Sequence, residues 1–182
     1  MNVKTGIRVI STVMLLAVMI CTSCINDDYD SYTPQYEEVL DQGDPLPTFD
    51  IIMKDGRKIT NEDFTDKVSL IVFFNTSCSD CRKELPVIQR FYDENPRYPV
   101  VCISREENEM SVSKYWESEG LTLPYSPQAD RTVYNMFALT LIPRIYVIDK
   151  AANVAAIFTD NPLVDYATLY ETVRRTDGYN RR

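Results

Sequence analysis

The 182-residue chain contains no histidine. That excludes His-based triads, His-ligated metal sites and imidazole general bases, so acid–base chemistry falls to Asp, Glu, Lys, Tyr or Cys. A basic balance is missing too. Nineteen Lys and Arg stand against 27 Asp and Glu, for a net charge of −8. With no local basic cluster either, binding to nucleic acid has no electrostatic support. There is no internal repeat and no low-complexity segment. The five cysteines, Cys21, Cys24, Cys78, Cys81 and Cys102, do not make the framework of a small disulfide-stapled domain. A four-cysteine zinc site needs two Cys-x-x-Cys pairs, and the globular part holds one. Neither a metal nor a cofactor is expected.

What is there centres on Leu70 to Pro86, LIVFFNTSCSDCRKELP. An apolar, β-branched run over Val68 to Phe74 has the pattern of a strand buried on both faces. It stops at Asn75-Thr76-Ser77, and Cys78-x-x-Cys81 follows at the head of an amphipathic helical pattern. Strand, Cys-x-x-Cys and helix start together are the local geometry of a dithiol redox centre. Such a centre needs an exposed thiolate that attacks and a second thiol that closes the disulfide. Cys78, at or near the helix N-cap, meets free backbone N–H groups and the positive end of the helix dipole, which favour a thiolate. It is the expected nucleophile. Cys81, about one turn further in, is the expected resolving thiol. Cys102, in the apolar run Pro99 to Ser104, reads as a buried, inert residue.

The N-terminus reads as an address. Lys4 and Arg8 precede an apolar stretch, Val9 to Cys21, in the manner of an export signal. This stretch is short for a membrane span of roughly 20 residues. Thr22 and Ser23 are small residues of the kind that precede a lipidated cysteine, which makes Cys24 the expected lipid attachment site. Between Asp27 and Asp44 lie seven acidic residues and no basic ones, the composition of a solvated tether. The organisation expected is a lipoprotein-type signal peptide over 1–23, an acidic flexible tether over 24–44, where Tyr36, Val39 and Leu40 could dock as a short helix, and one folded domain over 45–182. The location expected is a bacterial cell envelope, with the chain lipid-anchored to membrane.

Within the folded part, Phe49 to Met53 and Arg57 to Ile59 read as a hairpin about Asp55-Gly56. Thr60 to Phe64 reads as a capped turn. Ser79 to about Glu94 carries helical periodicity, with Pro86 expected to kink it. A second buried strand over Pro99 to Ser104, a helix ending near Gly120 and a short helix over Arg131 to Phe137 follow. Then come a strand over Arg144 to Ile148, its antiparallel partner Val154 to Phe158, and a closing helix over Asp165 to Arg175. That order gives an α/β fold with one central mixed β-sheet and helices on both faces.

FFNTSCSDCRKELP resembles the active-site segment of the thioredoxin superfamily, and within it the TlpA/ResA-like thiol–disulfide oxidoreductase lipoproteins. Pro86, Thr140-Leu141-Ile142-Pro143-Arg144 and the strand-and-turn Arg144 to Lys150 extend the resemblance over about Pro45 to Arg175. It implies a thioredoxin-like fold with an added N-terminal β-hairpin and an insert after the second core strand, around Ser104 to Asp130. It also implies a cis bond before Pro143, leaving the Ile142 N–H and C=O free to pair with an extended substrate. Glu84, three residues past Cys81, resembles a carboxylate of the ResA-like branch that exchanges a proton with the resolving cysteine; a surface Glu paired with Lys or Arg is the alternative. The partners implied are protein disulfide substrates and a membrane thiol-transfer electron donor.

The departures are specific. Val72 stands where thioredoxins carry a buried Asp, and Ser77 where the superfamily usually has Trp. Ser79-Asp80 fills the motif, with no His to stabilise a thiolate. Less stabilisation of the thiolate makes a less oxidising disulfide, so reduction of envelope-protein disulfides is the expected direction. Two other readings are a thiol peroxidase of the same fold and a non-catalytic surface lipoprotein of a nutrient-uptake assembly. The peroxidase pattern Pro-x-x-x-Thr-x-x-Cys meets Ile71 and Asn75 here and fails. Both motif cysteines being present argues against the second.

Overall fold

The computed structural model describes residues 39–178. The expected signal segment, Cys24 and most of the expected tether lie outside the described residues. The described chain opens with a small antiparallel sheet of β1 (Asp50–Ile52) and β2 (Lys58–Thr60), the hairpin the sequence predicts. A 3-10 turn, Asn61–Phe64, follows, closed by a capping box between Thr60 and Asp63. The central sheet has five strands: β3 (Ser69–Phe74), β4 (Val100–Ser104), β5 (Tyr125–Ser126), β6 (Arg144–Ile148) and β7 (Val154–Phe158). Their order is β5-β4-β3-β6-β7. Three helices accompany them: α1 (Ser79–Glu94), α2 (Glu109–Glu119) and α3 (Tyr166–Thr176).

β3 is the middle strand, and all six of its residues are buried. It runs parallel to β4, Leu70 opposite Val100, and antiparallel to β6, Phe73 opposite Arg144. Its near-continuous apolar sequence is what a strand covered on both faces requires. The turn after Phe74 therefore delivers Cys78 at one fixed end of the sheet. α1 continues from that turn and buries Cys81, Glu84, Leu85, Ile88 and Phe91. Pro86 lies inside the helix. α2 stops where Gly120 takes a left-handed φ of 65°, a conformation glycine adopts without a Cβ penalty.

The hairpin is joined to the sheet by aromatic packing. Phe49 packs tilted against Phe64 and edge-on against Phe137, with centroids 6.0 and 5.4 Å away, and Phe137 meets Phe73 of β3 at 4.9 Å. Lys54 N–H donates to the Tyr125 carbonyl at 2.8 Å, which ties the hairpin to β5 as well.

Some boundaries differ from the sequence reading. β5 is a two-residue strand in register with β4, Cys102 opposite Tyr125, too short to leave a sequence pattern. The helix expected over Arg131 to Phe137 is a single 3-10 turn, Tyr134–Met136. Val39 and Leu40 form a bend rather than a helix, with Leu40 buried and Val39 exposed; Tyr36 lies outside the described residues. Gly43 N–H donates to the Val154 carbonyl and Val154 N–H to the Asp44 carbonyl, both at 2.8 Å. The last described residues before Pro45 are thus attached to the edge strand β7.

Candidate active site

Cys78 is the N-cap of α1 and is partly exposed. The backbone N–H of Cys81 donates to its sulfur at 3.4 Å, and its thiol donates to the Ile142 carbonyl at 3.5 Å. A helix-start N–H directed at a sulfur stabilises negative charge there. Cys78, Cys81 and Cys102 are free thiols. Asp80, beside Cys78 in sequence, is bound by Lys83 at 2.7 Å, so its charge is largely answered by its own helix.

Cys81 is fully buried. Burial pushes its thiol far up; the Asn75 backbone N–H opposes this, the Cys78 sulfur adds to it and Arg105 eases it. A thiol raised in this way is a poor nucleophile until a base takes its proton. Glu84 follows one turn on, on the same buried face of α1, and is 2% exposed. Its Oε1 has no hydrogen-bond partner among the described residues. Burial pushes its carboxyl up to about 7, with the Val164 backbone N–H pulling the other way. A carboxyl group of that kind is part protonated at neutral pH and can take or return a proton.

The loop between β3 and α1 is braced by side chains for which sequence reasoning had no role. The Thr76 N–H donates to Glu107 Oε2 at 2.8 Å, and its hydroxyl donates to Glu107 Oε1. Arg82 Nε donates to the Thr76 carbonyl at 2.6 Å and lies over the Tyr115 ring. Asn75 Oδ1 accepts from the Ser77 N–H at 2.9 Å. The one Trp of the chain is elsewhere: Trp116 is buried against Phe74 at 4.8 Å, donating to the Leu123 carbonyl.

The second wall is the segment before β6. The Ile142–Pro143 peptide is cis, as expected, and Leu141 has φ 67°. Ile142 and Pro143 are buried beside Cys78. The Ile142 carbonyl is engaged by the Cys78 thiol in this dithiol form. Tyr134 and Arg144 reach this segment from below: Tyr134 donates to the Thr140 carbonyl at 2.6 Å, and Arg144 Nε does so at 3.0 Å. Arg144, a charge directly after Pro143 in an otherwise apolar strand, was the one visible flag. Cys102 stands apart, fully buried in β4 opposite Val72, and burial pushes its thiol far up.

A profile of the AhpC/TSA family matches residues 42–157, most of the chain and all of this site. The chain belongs to the AhpC/TSA family. Among proteins similar to it, "Thiol-disulfide oxidoreductase ResA" of Bacillus subtilis strain 168 is 23% identical over 163 residues, covering 85% of this chain and 89% of that one. ResA of Geobacillus kaustophilus is 26% identical over 135 residues, 72% of this chain and 78% of that one. A solved "thio-disulfide isomerase" from Thermus thermophilus superposes with a TM-score of 0.63 at 24% identity, covering 75% of this chain and 97% of that one. That likeness establishes the fold. This AhpC/TSA member is thioredoxin-like, with a mixed sheet, three helices and an added N-terminal hairpin, and its kinship with the TlpA/ResA-like branch holds.

Proposed function

We propose that the chain is a thiol–disulfide oxidoreductase that reduces disulfides of envelope proteins through Cys78 and Cys81. The observation that carries this is the unequal placement of the two sulfurs. Cys78 is accessible, with a backbone N–H on its sulfur, while Cys81 is enclosed, with the buried Glu84 one helical turn further along α1. The Cys78 thiolate attacks one sulfur of a substrate disulfide, forming a mixed disulfide and releasing the other sulfur as a thiolate. Cys81 gives its proton to the Glu84 carboxylate and attacks the Cys78 sulfur. The second substrate thiolate leaves and takes up a proton, so two electrons have passed to the substrate and a Cys78–Cys81 disulfide remains. The Ile142 backbone edge, beside the cis Pro143, pairs with the extended substrate.

A membrane thiol-transfer partner would return the two electrons, and lipid attachment at Cys24 would hold the domain at the envelope membrane beyond an acidic tether. Among the described residues no helix is long and apolar enough to cross a membrane. Absence of an imidazole in the motif supports the reducing direction. The test is reduction of insulin by dithiothreitol with and without the full chain. Acceleration that disappears in Cys78→Ser is the expected result. No acceleration favours a binding lipoprotein, and peroxide consumption by Cys81→Ser favours a thiol peroxidase.

A further inference from the structure

Three consecutive carbonyls ahead of Ile142 are each captured by a side chain. Arg131 Nη2 donates to the Leu139 carbonyl at 2.6 Å. The Thr140 carbonyl accepts from the Tyr134 hydroxyl and from Arg144 Nε. The Leu141 carbonyl accepts from the same Tyr134 hydroxyl. The next carbonyl, that of Ile142, is the one the Cys78 thiol reaches.

The capture also bears on backbone conformation. Leu141 has a φ of 67°, a region that a branched side chain enters at a steric cost. Leu141 lies directly before the peptide that faces the sulfur, and strained residues persist where the surroundings over-determine them. Here the surroundings are Tyr134 and its neighbours. Tyr134 is 1% exposed and packs edge-on against Phe73 of the central strand at 5.3 Å. Arg144 is fully buried opposite Phe73 and hydrogen-bonds the Tyr134 side chain. The Arg131 guanidinium covers the Tyr134 ring at 5.3 Å. A buried hydroxyl and a buried guanidinium must find acceptors, and these find the carbonyls of one loop. The loop is thereby referred to β3, the same strand that delivers Cys78.

We propose that Tyr134, backed by Arg144 and Arg131, is a positioning residue that sets the docking edge at Ile142 against the Cys78 sulfur. The inference rests on the dithiol reading above. It distinguishes two classes of substrate: an extended peptide disulfide uses the edge, and a small disulfide without a peptide backbone does not.

The experiment uses the full chain and two variants, Tyr134→Phe and Arg131→Gln. Tyr134→Phe keeps the ring on Phe73 and removes one hydroxyl; Arg131 is partly exposed, so its replacement leaves the core in place. With dithiothreitol as the reductant that regenerates the Cys78–Cys81 dithiol, and the uncatalysed rate subtracted, turnover of a fluorescence-quenched peptide disulfide is compared with turnover of hydroxyethyl disulfide. For Tyr134→Phe the KM for the peptide rises roughly tenfold, the factor expected for one lost buried hydrogen bond. Its kcat and the rate with hydroxyethyl disulfide stay within about twofold, because no group on the sulfur has changed. Arg131→Gln shows a smaller rise of about threefold in the same KM. Unchanged peptide KM in both variants, with only the melting temperature lowered, overturns the inference and leaves Tyr134 a structural residue. Equal losses on both substrates overturn it too, since the hydroxyl would then act on the sulfur chemistry. Wild-type protein inactive on both substrates refutes the dithiol reading itself.

Discussion

The two faces at the start of α1 treat the same side chain in opposite ways. On the outer face Cys78 is partly exposed, and its sulfur has a backbone donor and a backbone acceptor. On the inner face Cys81 is enclosed, its thiol pushed up by burial, with a buried carboxyl one turn further along. Two residues of sequence, Ser79 and Asp80, separate them. The difference shows that a Cys-x-x-Cys gains asymmetry from helix geometry alone: the cap position looks out and the next turn looks in. In the proposed mechanism the outer sulfur meets the partner and the inner one waits for a proton acceptor.

The largest expected effect breaks the comparison outright. Cys78→Ser should lower insulin reduction to the uncatalysed rate. Cys81→Ser should retain attack and accumulate mixed disulfides, visible as adducts on a non-reducing gel. If Cys81→Ser forms no adducts while Cys78→Ser does, the roles are reversed. Next is Glu84→Gln, which removes the proposed proton acceptor from the inner face and should slow closure of the disulfide at neutral pH by roughly 10²-fold, measured as decay of a preformed mixed disulfide.

Glu84 also links stability to pH. Its native carboxyl is raised from 4.5 to about 7, so the folded chain binds the proton more tightly than the unfolded one. The stability this gives is fully present below about pH 4.5 and is lost as pH rises to about 7. The loss is on the order of 3 kcal/mol. Relative to wild type, Glu84→Gln should gain that amount across this window in urea titrations. Two parallel curves would mean that Glu84 is not held protonated in the native state.

A smaller effect sharpens the outer face. Glu107→Gln weakens the brace on Thr76 and should cost about 1 kcal/mol of stability in urea titration, with a several-fold slower alkylation of Cys78 as the loop before it loosens. The smallest is Lys83→Met, which releases Asp80 from an exposed pair. Exposed pairs contribute little to stability, so the expected change is a modest shift of the disulfide potential toward more reducing, without measurable unfolding.

Much of this was legible because it follows from local pattern. The run Val68 to Phe74 could only be a strand covered on both sides, and the helix begins at Ser79 because Cys78 caps it. The resemblance carried by Pro143 and its neighbours implied the cis bond that the backbone shows. What was not legible depends on who captures which carbonyl. Tyr134 and Arg144 gain their meaning from Thr140 and Leu141, and Glu107 from Thr76 thirty-one residues earlier. Nothing in those residue types announces the pairing. The short strand β5 shows itself in its register on β4, and Leu40 docks through burial in the core and an N–H to the Phe137 carbonyl.

The central claim is that Cys78 and Cys81 form a reversible, reducing couple. An equilibrium titration of the full chain against the dithiothreitol couple, with the disulfides mapped by mass spectrometry, tests it most directly. The account predicts one two-electron step that joins Cys78 to Cys81, with a midpoint below roughly −180 mV. A midpoint near about −120 mV, the range of strong oxidants, or oxidation that never joins these two sulfurs, would contradict it.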